Sequence, residues 1–134
     1  MTGSIMNILA LDLATKTGYA YNDGVQFYCG TWELATKKEL IEEKKGRWDR
    51  RLDRRPSELW VRLRRLYSAV EFDFIVFEDV QFSSTTLQTQ LWASLRTAVW
   101  LSQESPGAIF DCVPVGTLKK FAGHGGATKD MMAA

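Results

Sequence analysis

Ile5-Met6-Asn7-Ile8-Leu9-Ala10-Leu11-Asp12 is a short, nearly continuous apolar run that stops on a carboxylate. A run of this length without polar alternation predicts a central strand covered on both faces. Phe74-Ile75-Val76-Phe77 repeats the pattern and stops on Glu78-Asp79, and Ala108 to Val113 gives a third strand of the same type. Beyond the first run, a turn at Thr15-Lys16-Thr17-Gly18 leads into an extended Tyr19 to Tyr21. Asn22-Asp23-Gly24 then predicts a tight hairpin, because Asp-Gly readily supplies the positive φ angles of a primed turn. Val25 to Leu34, rich in aromatic and β-branched residues, is the return strand. The first third therefore reads as a three-stranded antiparallel meander.

Helical spacing governs most of what separates the later strands. Lys37 to Arg55 is charged, has little apolar periodicity and is interrupted by Gly46, so its helical signal is weak. Pro56-Ser57 is a better helix start. Leu59, Leu63, Leu66 and Val70 follow on one stripe, which Trp60 and Tyr67 widen. Thr85 to Glu104 carries Leu87, Leu91, Leu95 and Val99 at four-residue steps. Pro114 opens a short helix through Phe121, Gly123-His124-Gly125-Gly126 breaks it, and Ala127 begins another. The order β-β-β-α-β-α-β-α, with helices joining the later strands, implies parallel pairing there. The expected fold is a single α/β domain over residues 1–134, with a five-stranded mixed sheet flanked by helices.

Composition excludes several classes. With 134 residues, 46% hydrophobic and 25% charged, the chain is neither collagenous, wholly disordered nor membrane-spanning. No apolar run approaches the ~18 residues of a transmembrane helix. Met1 to Met6 has no basic and apolar signal-peptide regions. Cys29 and Cys112 have no metal-type spacing and are expected to be reduced, buried thiols of a cytoplasmic protein. The net charge of +1 conceals an asymmetry: Lys44 to Arg65 holds ten basic and three acidic residues. Such a segment is either a solvated helical face or an electrostatic footprint for nucleic acid.

Asp12 and Glu78 stand at the carboxyl ends of two buried-type strands, the edge of an α/β sheet where sites form. If the strands are parallel neighbours, both carboxylates enter one region and suit a hard divalent cation. The competing reading is that they merely cap strand ends.

Ile8 to Ala20 (ILALDLATKTGYA) resembles the first strand and turn of the RuvC branch of the RNase H-like nucleases. Phe72 to Phe82 (FDFIVFEDVQF) resembles the family's fourth strand, and Val113 to Met132 (VPVGTLKKFAGHGGATKDMM) its Lys-pair helix and glycine-rich loop. The matches fall in the family's order, and the short, phage-type Holliday junction resolvases are the members most resembled. The resemblance implies that Asp12 and Glu78 are two of four carboxylates holding a pair of Mg2+ ions, with Mn2+ as a substitute. It implies catalytic roles at the scissile phosphate for Lys119 and Lys129. Contacts to branched DNA are expected from Arg47, Arg50, Arg51, Arg54, Lys119 and Lys120, with Phe82 as a wedge beside Gln81. It also implies a homodimer formed through the helix at residues 85–104.

Departures from the family pattern shape the expectation. Ala14 stands where a Gly is common, and Asp130 comes too early to serve as a final-helix carboxylate. The 134 residues carry no acidic pair matching the family's last helix, so this chain is expected to bind junctions and cut them little. His124 reads as a solvated loop residue. Trp92 and Trp100 share a helix flank, and Trp48 and Trp60 border the arginine-rich segment, either stacking on bases or packing. Two other functions compete with a magnesium-dependent junction endonuclease. One is an inactive RNase H-like module that binds branched DNA or a protein. The other is an actin-like ATPase fragment, for which 134 residues supply neither the second lobe nor the second phosphate loop.

Overall fold

The computed structural model describes residues 6–46, 53–79, 85–103 and 108–114. Five strands, β1 (Ile8–Asp12), β2 (Lys16–Asn22), β3 (Phe27–Glu33), β4 (Phe74–Asp79) and β5 (Ile109–Pro114), form one sheet in the order β3-β2-β1-β4-β5. β1, β2 and β3 pair antiparallel, while β1–β4 and β4–β5 pair parallel. The expected mixed sheet is therefore present, with β1 at its centre.

The hairpin differs from its sequence reading. Asn22 pairs with Phe27, so the loop is the four residues 23–26 rather than a two-residue primed turn. The Asp23 carboxylate accepts the N–H groups of Val25 and Gln26 at 2.9 Å each, and Gly24 takes φ +93°. A side-chain acceptor thus organises the loop in place of tight turn geometry. Those backbone N–H groups, together with the Tyr28 hydroxyl, hold the Asp23 carboxyl below its ordinary value.

Three helices connect the strands. α1 (Lys37–Lys44) forms where periodicity is weak because its ends are well capped. Thr36 Oγ1 accepts the Glu39 N–H at 3.1 Å, and Glu39 Oε1 accepts the Thr36 N–H at 2.9 Å, a reciprocal capping box. Gly46, at φ +70°, donates to the Glu43 carbonyl and closes the other end. α2 (Arg55–Ala69) starts one residue before Pro56, and α3 (Thr86–Ser102) is capped by Thr85.

Both longer helices pack on the same side of the sheet. Leu59 and Leu63 of α2, with Leu95, Ala98 and Val99 of α3, meet Leu9 and Leu11 of β1 and Ile75 and Phe77 of β4. Leu87, expected on the same stripe, is 55% exposed at the first turn of α3.

The expectation of a β1 covered on both faces fails among the described residues. Leu9 and Leu11 are buried, but Ile8 is 42% exposed and Asp12 is exposed. Side chains alternate along a strand, so among the described residues α2 and α3 meet one face of β1. Cys29 also departs from expectation: it is a free thiol on the exposed β3. It pairs laterally with Ala20, which pairs with Ala10, so it lies on the face opposite the core. The expected helices after Pro114, with His124 and Asp130, lie outside the described residues, as does the side chain of Cys112.

Candidate metal and nucleic-acid site

The site is set by register, and the register is locked at the far end of the sheet. Asn7 N–H donates to Asp73 Oδ2 at 2.8 Å, and the Asp73 N–H donates to the Asn7 carbonyl at 2.8 Å. Asn22 receives the Ile8 N–H on Oδ1 and donates through Nδ2 to the Met6 carbonyl. These bonds fix β1 against β2 and β4 before either strand is two residues long. The parallel pairs Ile8–Phe74, Leu9–Ile75, Ala10–Val76 and Leu11–Phe77 follow in turn. The next residues along the two strands are Asp12 and Glu78.

Asp12 therefore shares a face with Ile8 and Ala10, and Glu78 with Phe74 and Val76, the side away from the helices. Neighbouring strands lie about 4.8 Å apart, so two carboxylates at matched positions converge on one ligand-sized region. Asp12 is exposed and Glu78 half-buried. Across β2 the lateral partner of Asp12 is Gly18, where an added Cβ would stand 3.5 Å from the Asp12 Cβ. No side chain crowds Asp12 from that side.

The donor chemistry fits a hard cation. Two carboxylates offer oxygen ligands, and an ion such as Mg2+ fills its remaining positions with water or phosphate. Among the described residues no group of three His, Cys, Asp or Glu side chains is positioned to enclose an ion. Asp111 lies on the same face, but its partner in β4 is Val76, one step along the face from Glu78.

The connection from β1 to β2 is tied down at several points. Leu13 is buried and Thr17 fully so, with Thr17 Oγ1 donating to the Ala14 carbonyl at 2.6 Å. The Leu34 N–H donates to the Thr15 carbonyl at 2.9 Å. Arg55 Nη1 donates to Thr15 Oγ1 at 2.9 Å. Arg55 is only 3% exposed and also reaches Asp53 Oδ2 at 2.8 Å and Glu43 Oε2 at 3.0 Å. Burial is the largest single influence on this guanidinium and opposes its charge, yet the two carboxylates outweigh it and raise its pKa above the ordinary value. Sequence reasoning passed over both Arg55 and Thr15. The available signal was an Asp two residues ahead of an Arg at a Pro-marked helix start.

The basic segment is less free than its charge count suggests. Arg54, an expected DNA contact, donates to Glu39 Oε1 at 3.1 Å, and Arg62 pairs with Glu58 at 3.1 Å along α2. Arg64 lies over the Trp60 ring and donates to the Ser102 carbonyl. On α3 the flank shared by Trp92 and Trp100 is filled by Arg96, whose guanidinium carbon is 4.8 Å from each ring centroid. Arg47, Arg50, Arg51, Trp48, Phe82, Lys119, Lys120 and Lys129 lie outside the described residues.

No protein-family profile matches the chain, and no curated protein matches it. Solved structures do. A Thermus thermophilus RuvC in complex with a Holliday junction substrate superposes with TM-score 0.68 at 16% identity, covering 96% of this chain and 76% of that one. A second T. thermophilus RuvC structure gives TM-score 0.63 at 15% identity, covering 94% and 75%. The chain has the RuvC-like, RNase H-like fold.

Proposed function

We propose that this chain is a DNA-structure-selective endonuclease domain that binds branched DNA, of the Holliday junction type, and hydrolyses phosphodiesters with Mg2+. The observation that carries the reading is the parallel register of β1 and β4, whose last pair, Leu11–Phe77, directly precedes Asp12 and Glu78 on the face away from α2 and α3. A RuvC of the same fold binds a Holliday junction, which supports the substrate class. A divalent ion held there supplies an activated water and offsets charge on the departing oxygen. Asp12 and Glu78 would hold it, and Gly18, the lateral partner of Asp12, brings no side chain of its own against that carboxylate. Lys119 and Lys129 complete the catalytic set by contacting that phosphate, while Arg47, Arg50, Arg51, Arg54, Lys120 and Phe82 hold the DNA arms. Mn2+ replaces Mg2+. The working compartment is the cytoplasm of a bacterial or phage-infected cell.

Two sites that cut opposed strands require two copies, and α3 is the contact surface. Leu87, Trp100 and Leu101 are 55%, 48% and 71% exposed on it, an apolar set that a partner helix covers. A dimer mass at tens of micromolar, reduced to a monomer by Leu101→Glu, is the expected result.

The decisive assay follows a labelled four-way junction with and without Mg2+. The 134-residue chain binds it at low salt, and affinity falls with a logarithmic slope of roughly −0.9 per phosphate contacted. Two carboxylates are half of the ligand set that two ions need, so nicking by these residues alone is weak. Supplying a helix with two further acidic residues after Ala134 raises it, and Asp12→Asn or Glu78→Gln removes it. Strong cutting by the 134-residue chain after both substitutions overturns the ligand assignment. Absence of binding at low salt favours the second reading, a module that engages a protein partner.

A further inference from the structure

We infer that Arg55 is a positioning residue for the metal site: through Thr15 it fixes the β1–β2 connection and so the direction in which Asp12 presents its carboxylate. The inference rests on the reading of Asp12 as a metal ligand.

The placement of Arg55 is hard to explain by the stability of its own helix. It is the first residue of α2, where the positive end of the helix dipole disfavours a cation. It is the only charged residue among the described ones that is buried, and a buried charge is costly unless fully paired. The pairing is complete and draws on three separate pieces of chain. Nε donates to Asp53, Nη2 to Asp53 and Glu43, and Nη1 to Thr15. Only the planar guanidinium fork makes such a set at once; an ammonium is a single point.

What the fork adds is a fixed position for residue 15. Only residues 13–15 separate Asp12 from β2. Leu13 is anchored in the core, and Ala14 is held by the Thr17 hydroxyl. The side chain of Thr15 is held by Arg55 and by nothing else that this turn supplies. Without that bond, residue 15 is left with its backbone bond from Leu34, three positions along the chain from Asp12 at the end of β1. Groups that orient a metal ligand from behind typically change metal affinity ten- to a hundredfold when lost.

The test measures Mn2+ binding to the full chain by the loss of the free-ion paramagnetic resonance signal, with no DNA and no turnover. Thr15→Val removes the acceptor at constant shape and Thr15→Ser keeps it. Arg55→Lys keeps the charge beside Asp53 and Glu43 but loses the reach to Thr15. Thr15→Val and Arg55→Lys are expected to raise the half-saturating Mn2+ concentration about tenfold, and Thr15→Ser to stay within about twofold of the parent. Ser102→Ala, which removes the buried hydroxyl that meets Tyr67 on the far side of the domain, is the control for general destabilisation. It lowers the melting temperature and leaves Mn2+ binding unmoved. Parental Mn2+ affinity in Thr15→Val, alongside loss of binding in Asp12→Asn, overturns the role of Arg55 and spares the metal site. An equal weakening in Ser102→Ala also overturns it, as a mere stability effect. Parental binding in Asp12→Asn overturns the metal reading and this inference with it.

Discussion

The two faces of the sheet are made from the same strands and behave as different materials. Leu9, Leu11, Ile75 and Phe77 point toward α2 and α3 and are at most 3% exposed. Ile8, Ala10 and Asp12, with Val76 and Glu78, occupy the intervening positions and stand outside that core. Residue type alone does not separate the sets, since Ile8 and Val76 are as apolar as Leu9 and Ile75. The difference is one of parity. A strand that ends in a carboxylate of that parity places it on the face away from α2 and α3, and two parallel neighbours in matched register place two.

The sharpest way to break the contrast is to truncate the covered face. Phe77→Ala should cost about 3–5 kcal/mol of unfolding free energy, because the cavity cannot close between two packed helices. Ile8→Ala should cost under about 1 kcal/mol, since Ile8 keeps 42% of its surface in water. Comparable losses in urea melts would show that the second face is packed as tightly as the first.

The carboxylates should show the reverse profile. Asp12→Asn should change stability by no more than about 0.5 kcal/mol, since Asp12 is exposed, and both Asp12→Asn and Glu78→Gln should eliminate Mn2+ binding. A large drop in melting temperature on Asp12→Asn would return that residue to a strand-capping role. Cys29 sharpens the comparison further: it lies in the same lateral row as Ala20 and Ala10 and is exposed. A thiol reagent should label it in the native protein without unfolding, and protection would reveal a cover on that face.

The smallest effects lie off both faces. Thr36→Ala should cost about 1 kcal/mol by removing one side of the capping box of α1. Glu39 is held below its ordinary value of 4.5, chiefly by the Thr36 N–H, and Asp23 below 3.8 by the N–H groups of Gln26 and Val25. A depressed carboxyl pKa stabilises the fold above the unfolded value and loses that contribution as pH falls through the folded one. Stability should therefore decline below about pH 4.5, and Glu39→Gln should flatten part of that decline in a series of melts.

The amino-acid sequence determined the element order, the antiparallel-then-parallel sheet and the candidacy of Asp12 and Glu78. Each of these depends on local pattern: apolar runs of strand length, helical spacing in α2 and α3, and a carboxylate at a strand end. α1 was weakly legible, because capping rather than an apolar stripe makes it helical. Cys29 and Ile8 were misjudged, because burial depends on what lies across the sheet and not on the residue's own apolarity. Arg55 was invisible as a site residue. Its partners are Glu43, Asp53 and Thr15, and Thr15 is forty positions away along the chain. That the strands ending in Asp12 and Glu78 are parallel neighbours was likewise decided only by tertiary structure, with hydrogen bonds of Asn7, Asn22 and Asp73 at the opposite end of the strands. Local propensity chooses strand or helix one residue at a time, but register and facing come from bonds between segments far apart in sequence. A single residue of slip in either strand would turn its carboxylate toward the core.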